Sequence, residues 1–355
     1  MGILSYRQVS KHYPGGFRAV SEFSLDIDKG VFVVLIGPSG CGKTTILRMT
    51  NRLIEQSGGA IFVDGVDHRT LNPVQLRRKL GYVIQDIGLM PHYTVAENIT
   101  FVMSLMGVPR AKRYERAADL LRLVGMDPDT YLFRFPRELS GGQQQRIGVL
   151  RALAHDPEVV LMDEPFGALD PIARLTLQME LKKLQKSVHK TILFVTHDMD
   201  EALLLADVIV IMQAGQTVQV GPPAEILYNP ANAFVRGFIG QDRILHRVAV
   251  LPVGSVVEAR SDKGGPGELR PSGPTPVLRS DTPLIVALSM LDPASRAAVV
   301  DTDNRVLGYV SLQDIQQAIR VKAESLAKVA DAWEVNGNDD GILQFHGPER
   351  LGNLV

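Results

Sequence analysis

The residues Gly37-Pro38-Ser39-Gly40-Cys41-Gly42-Lys43-Thr44-Thr45 carry the clearest chemical signal in this chain. Gly37, Gly40 and Gly42 let the backbone turn with its N–H groups pointing inward, so that the loop and the positive end of a following helix hold phosphate oxygens. Lys43 is placed to reach the β and γ phosphates of a nucleotide, Thr44 to put its hydroxyl on Mg²⁺, and Thr45 either to serve the α phosphate or to start the helix. Further along, Asp163 and Glu164 close the apolar run Val159 to Met162. Asp163 there suits Mg²⁺ held through water, and Glu164 suits a base that takes a proton from the attacking water. Gln85 ends the run Gly81 to Gln85, where a glutamine either caps a strand or meets Mg²⁺ and the water. His197, after Ile192 to Val195, is placed to hydrogen-bond the γ phosphate, although a lone strand-end histidine is also a common structural residue. Ser140-Gly141-Gly142-Gln143 opens a helical pattern and forms a second anion site, since unpaired N–H groups and the helix dipole favour phosphate there. One loop and one such helix end per chain imply two copies facing each other, each completing the other's site.

These side chains need a frame, and the hydrophobic pattern supplies one. The β-branched run Val31 to Ile36 precedes the loop and the helical spacing Ile46, Leu47, Met49, Leu53, Ile54 follows it, giving strand, loop and helix in the required order. Ile3 to Val9 and Phe23 to Ile27 alternate as two strands around Pro14-Gly15-Gly16. Tyr13 ends the first of these, placed either to stack on an adenine or to serve as a plain tyrosine. Ala60 to Val63 reads as a strand, Pro73 to Lys79 as a short helix, and Thr94 to Leu139 as a helical insertion. Its Arg110, Lys112, Arg113 and Arg116 form a solvated face, or else a contact to lipid headgroups or a partner. Gln143 to Ala154 reads as a helix, and Val208 to Met212 with Thr217 to Val220 as a hairpin around Ala214-Gly215-Gln216.

The 355 residues suffice for two domains. A formal net charge of -1 argues against a nucleic-acid surface spread over the molecule. The one cysteine, Cys41, excludes an internal disulfide; inside the loop near a helix start, its thiol is expected to have a lowered pKa. No signal peptide is visible between Met1 and Asp28, and Val31 to Ile36 and Ala202 to Met212 are too short to span a bilayer. Any membrane role then falls to partners.

In this order the motifs resemble the ATP-binding subunit of an ABC transporter, over about the first two thirds of the chain. The resemblance adds Ala168-Leu169-Asp170, with Asp170 at the nucleotide, and implies an α/β phosphate-loop ATPase domain with an antiparallel β subdomain and a helical subdomain. It also implies a head-to-tail homodimer around two ATP molecules, with Ser140 of one copy on the γ phosphate held by Lys43 of the other. Asn51-Arg52-Leu53-Ile54, Gly81 to Gln85, Ile87 to His92, Thr94 to Ile99, Gly141 to Val149 and Phe238 to Arg243 are similar to the glycine betaine, choline and carnitine importer group. That group implies integral membrane permease subunits, a separate extracytoplasmic binding protein and a peripheral place on the cytoplasmic face of the membrane. An importer for another solute, such as an amino acid or sugar, stays open. A soluble ABC ATPase acting on DNA or ribosomes fits less well, because neither a long coiled coil nor a second ATPase domain is present.

The tail is a second unit. Residues 1–240 are expected to form the ATPase domain and 241–276 a linker, with Gly, Pro and Ser concentrated from Ser261 to Pro276. Residues 277–320 resemble a small α+β CBS module, through Val277-Leu278, Leu284 to Leu291, Ala297 to Asp301, Val306 to Val310 and Asp314-Ile315; residues 321–355 form a tail. The resemblance implies either an adenine nucleotide, with Asp314 at the ribose, or a dimer-supporting appendage without ligand.

Overall fold

A computed structural model of the chain describes residues 2–85, 88–167, 171–240 and, in the tail, 253–254, 256–257, 276–282, 284, 287, 291, 296–315 and 317. The chain divides into two compact units, the second beginning at Ala224. The first opens with the hairpin β1 (Leu4–His12) and β2 (Arg18–Ile27), then β3 (Phe32–Ile36) and α1 (Lys43–Thr50). Next come β4 (Gly58–Val63), β5 (Val66–Asp67), α2 (Pro73–Lys79) and β6 (Leu80–Val83). The helical stretch holds α3 (Val95–Ile99), α4 (Phe101–Leu105), α5 (Arg110–Leu123) and α6 (Pro128–Tyr131). It leads to α7 (Gly141–Leu153), β7 (Val159–Asp163), α8 (Pro171–Val188), β8 (Thr191–Thr196), α9 (Met199–Leu205), β9 (Val208–Gln213) and β10 (Gln216–Gly221).

Six strands form the central sheet in the order β10-β9-β3-β8-β7-β6, parallel except at the β10 edge. Every residue of β3, β7 and β8 is buried, as continuous apolar runs between two covered faces require. Parallel pairing brings the carboxyl ends of β3, β6, β7 and β8 to one edge, where open parallel sheets bind ligands. Ile36 pairs with Thr196 and Asp163 with Val195, so the phosphate loop, Asp163-Glu164 and His197 leave the sheet side by side. A second sheet, β2-β1-β4-β5, is antiparallel. Its first two strands run longer than Ile3 to Val9 and Phe23 to Ile27. The pairing shifts register after Tyr6, with Gln8 and Glu22 at positive φ, and such bulges let a ladder continue where the alternation breaks.

Gln85 lies two residues beyond the end of β6, in an exposed bend. Residues 90–94 are anchored by buried Asn98 of α3, which accepts from Met90 N at 2.7 Å and donates to the carbonyls of Met90, Tyr93 and Thr94. The basic residues of α5 are not a uniformly solvated face. Arg116 Nε donates to Ala154 O at 3.2 Å beyond the last turn of α7, while Arg110 Nη2 donates to Tyr114 OH at 3.0 Å.

After β10 come α10 (Pro223–Tyr228) and α11 (Ala233–Ile239). The tail sheet pairs β11 (Val277–Arg279) parallel to β12 (Arg296–Val300) and β12 antiparallel to β13 (Val306–Ser311) over a core including Leu278, Val299 and Ile315. Asp314 Oδ2 accepts from Ser311 N at 2.9 Å and Ser311 Oγ at 2.7 Å, a reciprocal pair completed by Asp314 N on Ser311 Oγ. Most of the expected helix Leu284 to Leu291, nearly all of 241–276 and all of 321–355 lie outside the described residues.

Candidate active site

The phosphate loop is shaped by its neighbours. A Cβ on Gly37 would sit 2.1 Å from Met212 O, and one on Gly42, at φ 107°, 2.3 Å from Ala19 O, so β9 and β2 leave room only for glycine. Gly215 at the β9–β10 tip donates its N–H to Cys41 O at 3.2 Å and accepts from Ser21 N at 2.8 Å, bracing the loop from the side. Lys43 is buried; its Nζ lies within the loop, donating to Gly37 O at 2.7 Å and Pro38 O at 3.1 Å. The Cys41 thiol departs from the sequence expectation. Burial pushes its pKa up and outweighs Lys43, whose Nζ lies 3.7 Å from the sulfur.

At the sheet's carboxyl edge, Thr44 Oγ1 donates to Asp163 Oδ1 at 2.9 Å. Glu164 takes a left-handed φ of 43° with its N–H on Val195 O at 2.9 Å. That backbone is uncommon for a residue with a side chain and is held by the β7–β8 register. It brings Glu164 Oε2 to 3.1 Å from His197 Nδ1, so these two expected residues meet.

Asp163 is 5% exposed, and burial, the largest influence, pushes its carboxyl pKa up. An acid with a raised folded pKa adds stability that is full below its unfolded pKa and lost as pH rises through the folded value. At neutral pH the charged form therefore costs stability. Asp163→Asn, which keeps an oxygen for Thr44, is expected to raise Tm at pH 7. The Tm gain should shrink as pH falls toward the ordinary carboxylate range, and calorimetry across pH 4 to 8 checks it; a gain that grows on acidification would contradict the burial account.

Ser140 is the N-cap of α7. Its Oγ accepts from Gln143 N at 3.3 Å and its N–H donates to Gln143 Oε1 at 2.9 Å. This capping box leaves the first-turn N–H groups of Gly141 and Gly142 outside the helical ladder. Tyr13 stands half-exposed at the head of the β1–β2 turn, stacked on Phe17 at 6.5 Å between ring centroids. Asp170, with Ala168 and Leu169, lies outside the described residues. Sequence reading missed Phe17, although an aromatic four residues after Tyr13 across Pro14-Gly15-Gly16 was the signal. It also gave no role to Thr196, one residue before His197, or to Glu201, four residues after it.

Comparison with known proteins places these features in a family. Residues 20–167 match the family model described as ABC transporter, and residues 267–321 match that of the CBS domain. The chain is 53% identical over 317 residues to the glycine betaine/carnitine/choline transport ATP-binding protein OpuCA of Bacillus subtilis, covering 89% of this chain and 80% of that one. It is 50% identical over 328 residues to the choline transport ATP-binding protein OpuBA of the same organism, covering 92% and 83%. Among solved structures, the dimeric post-hydrolysis state of the ATP-binding cassette MJ0796, bound to ADP and Pi, superposes with a TM-score of 0.56 at 31% identity, covering 62% of this chain and 98% of that one. Identity of this order, sustained across both units, makes the chain a member of the ABC transporter ATP-binding subunits, and the reaction of its nucleotide site is ATP hydrolysis.

Proposed function

We propose that this ATPase energises the uptake of quaternary ammonium osmoprotectants, glycine betaine, choline or carnitine, through separate membrane subunits. The observation that carries the substrate class is the 53% identity to a glycine betaine/carnitine/choline transport ATP-binding protein. Among the described residues no helix is long and apolar enough to cross a membrane, so in this reading integral permease subunits provide the path. The chain docks on them at the cytoplasmic face, a separate extracytoplasmic protein delivers the solute, and no nucleic acid takes part.

Within the site, Lys43 and the amides of the phosphate loop bind the β and γ phosphates, and Tyr13 stacks on the adenine. The residues fit Mg²⁺: the Thr44 hydroxyl and the buried Asp163 carboxylate are hard oxygen donors 2.9 Å apart, with Gln85 leaving the same edge of the sheet. Bound there, Mg²⁺ would neutralise charge on the β and γ phosphates. Glu164 takes the proton of the attacking water, and His197, held at its carboxylate, is placed beside the γ phosphate. Ser140, Gly141, Gly142 and Gln143 of a second copy, together with Asp170, close the site in a head-to-tail homodimer.

In this reading residues 1–240 form the ATPase domain, 241–276 the linker, 277–320 the CBS-type module and 321–355 the tail. The module is assigned a regulatory role with adenine nucleotide as its ligand. The Ser311 donors on Asp314 compete there with a ribose contact, so the alternative of a ligand-free support for the dimer keeps a specific observation in its favour.

The test is ATPase activity of the chain reconstituted in proteoliposomes with its membrane subunits and binding protein. Glycine betaine, choline or carnitine is expected to stimulate turnover. An active complex indifferent to all three would end the substrate assignment and leave the ATPase standing.

A further inference from the structure

Glu201 lies in the first turn of α9 and is 5% exposed. Its Oε2 accepts the Thr196 hydroxyl at 2.6 Å, and its Oε1 accepts Gln178 Nε2, from α8, at 3.1 Å. Thr196 Oγ1 accepts in turn the backbone N–H of Asp198 at 3.0 Å. Asp198 caps α9 through Asp200 N at 2.8 Å, and its Oδ2 lies 3.6 Å from Arg174 Nη1 of α8. Both chain neighbours of His197 are therefore tied down, while the exposed imidazole between them reaches Glu164 Oε2 at 3.1 Å.

A buried carboxylate is a costly way to fill this helix face. Desolvation disfavours its charge, and an apolar side chain of similar size would pack there without that cost. What the carboxylate offers instead is two acceptor oxygens in fixed directions, one for the end of β8 and one for α8. Neither hydrogen bond involves a residue given a place at the nucleotide, so an effect on hydrolysis would travel through the Thr196–His197–Asp198 turn.

We propose that Glu201 is a positioning residue for ATP hydrolysis: through Thr196 it fixes the turn that presents His197 to Glu164 and the γ phosphate, and through Gln178 it ties that turn to α8. The inference rests on the roles given above to Glu164 and His197. A displacement of about 1 Å in such a group costs up to roughly 100-fold in rate without altering substrate binding.

The experiment measures kcat, KM, equilibrium ATP affinity and Tm on the full chain. Glu201→Gln keeps the volume and replaces one of the two acceptor oxygens by a donor, so it cannot accept from both Thr196 and Gln178 as the carboxylate does. It is expected to lower kcat about 10- to 100-fold with ATP affinity unchanged. Thr196→Val should match it, and Thr196→Ser, which keeps the hydroxyl, should recover most of the loss. In a His197→Ala background Glu201→Gln should add nothing, because both act through one side chain. A normal kcat in Glu201→Gln, or a loss that multiplies with that of His197→Ala, overturns the proposal. If Glu201→Gln fails to fold, the Thr196→Val and Thr196→Ser pair decides alone. Normal hydrolysis by His197→Ala would remove the role of His197 and this proposal together. Slow hydrolysis by His197→Ala with normal Glu201→Gln would remove the positioning role only.

Discussion

Glu164→Gln is expected to bind ATP with unchanged affinity and to hydrolyse it about 10²- to 10⁴-fold more slowly, the range seen when a positioned base is removed. The substitution is close to isosteric. It keeps an oxygen for His197 Nδ1, now 3.1 Å from Glu164 Oε2, and the backbone N–H on Val195 O at 2.9 Å. Glutamine meets the left-handed φ of 43° no worse than glutamate, because the two share a Cβ and differ only at the tip. Nothing in the phosphate loop changes, since Lys43 bonds Gly37 and Pro38 rather than Glu164. Only the ability to take a proton disappears. In the proposed head-to-tail homodimer, ATP that binds and does not turn over would hold the two copies together, so size exclusion in ATP should show a lasting dimer of this variant. Near-normal turnover in this variant would remove Glu164 from the base role.

The central sheet was legible because its strands obey a strict rule. Val31 to Ile36, Val159 to Met162 and Ile192 to Val195 are continuous apolar runs, as strands covered on both faces must be, and residues of the candidate site follow each of them. The helix α8 was less visible. Leu177, Leu181 and Leu184 form a buried stripe, but Gln178 and Gln185 are buried beside them and break the polar and apolar alternation. Gln185 donates to Gly30 O at 2.6 Å and Gln178 to Glu201 at 3.1 Å, contacts between segments far apart in sequence that no local pattern announces.

The site divides along the same line. Residues in one contiguous motif, Lys43 and Thr44, could be given roles because the loop itself creates their surroundings. Meetings between motifs follow from strand register: the Thr44 contact to Asp163 and that of Glu164 with His197 exist because β3, β8 and β7 are neighbours in the sheet. The thiol of Cys41 shows the limit of reading a motif by analogy. Closeness to a helix start suggests a lowered pKa, yet burial beneath the loop reverses the direction.

Lys43→Ala separates binding from chemistry in the opposite sense to Glu164→Gln. Each charge-assisted hydrogen bond from an ammonium to a phosphate oxygen is worth about 1.5–3 kcal/mol, so losing two of them should weaken ATP binding by roughly 100-fold or more. ADP, which lacks the γ phosphate, should lose less, and titration calorimetry with both nucleotides reads the difference directly. The fold should tolerate the change. Alanine is a good residue for the first turn of α1, and the loop keeps its braces at Gly215 and its close approach to Met212 and Ala19. Lys43→Arg tests whether charge alone suffices. The ammonium sits within the loop, 2.7 Å from Gly37 O, and a planar guanidinium does not reproduce that compact point charge, so arginine should not restore affinity. Unchanged ATP binding in Lys43→Ala would contradict the phosphate-loop assignment. Equal losses for ATP and ADP would move Lys43 away from the γ phosphate and leave it on the β phosphate alone.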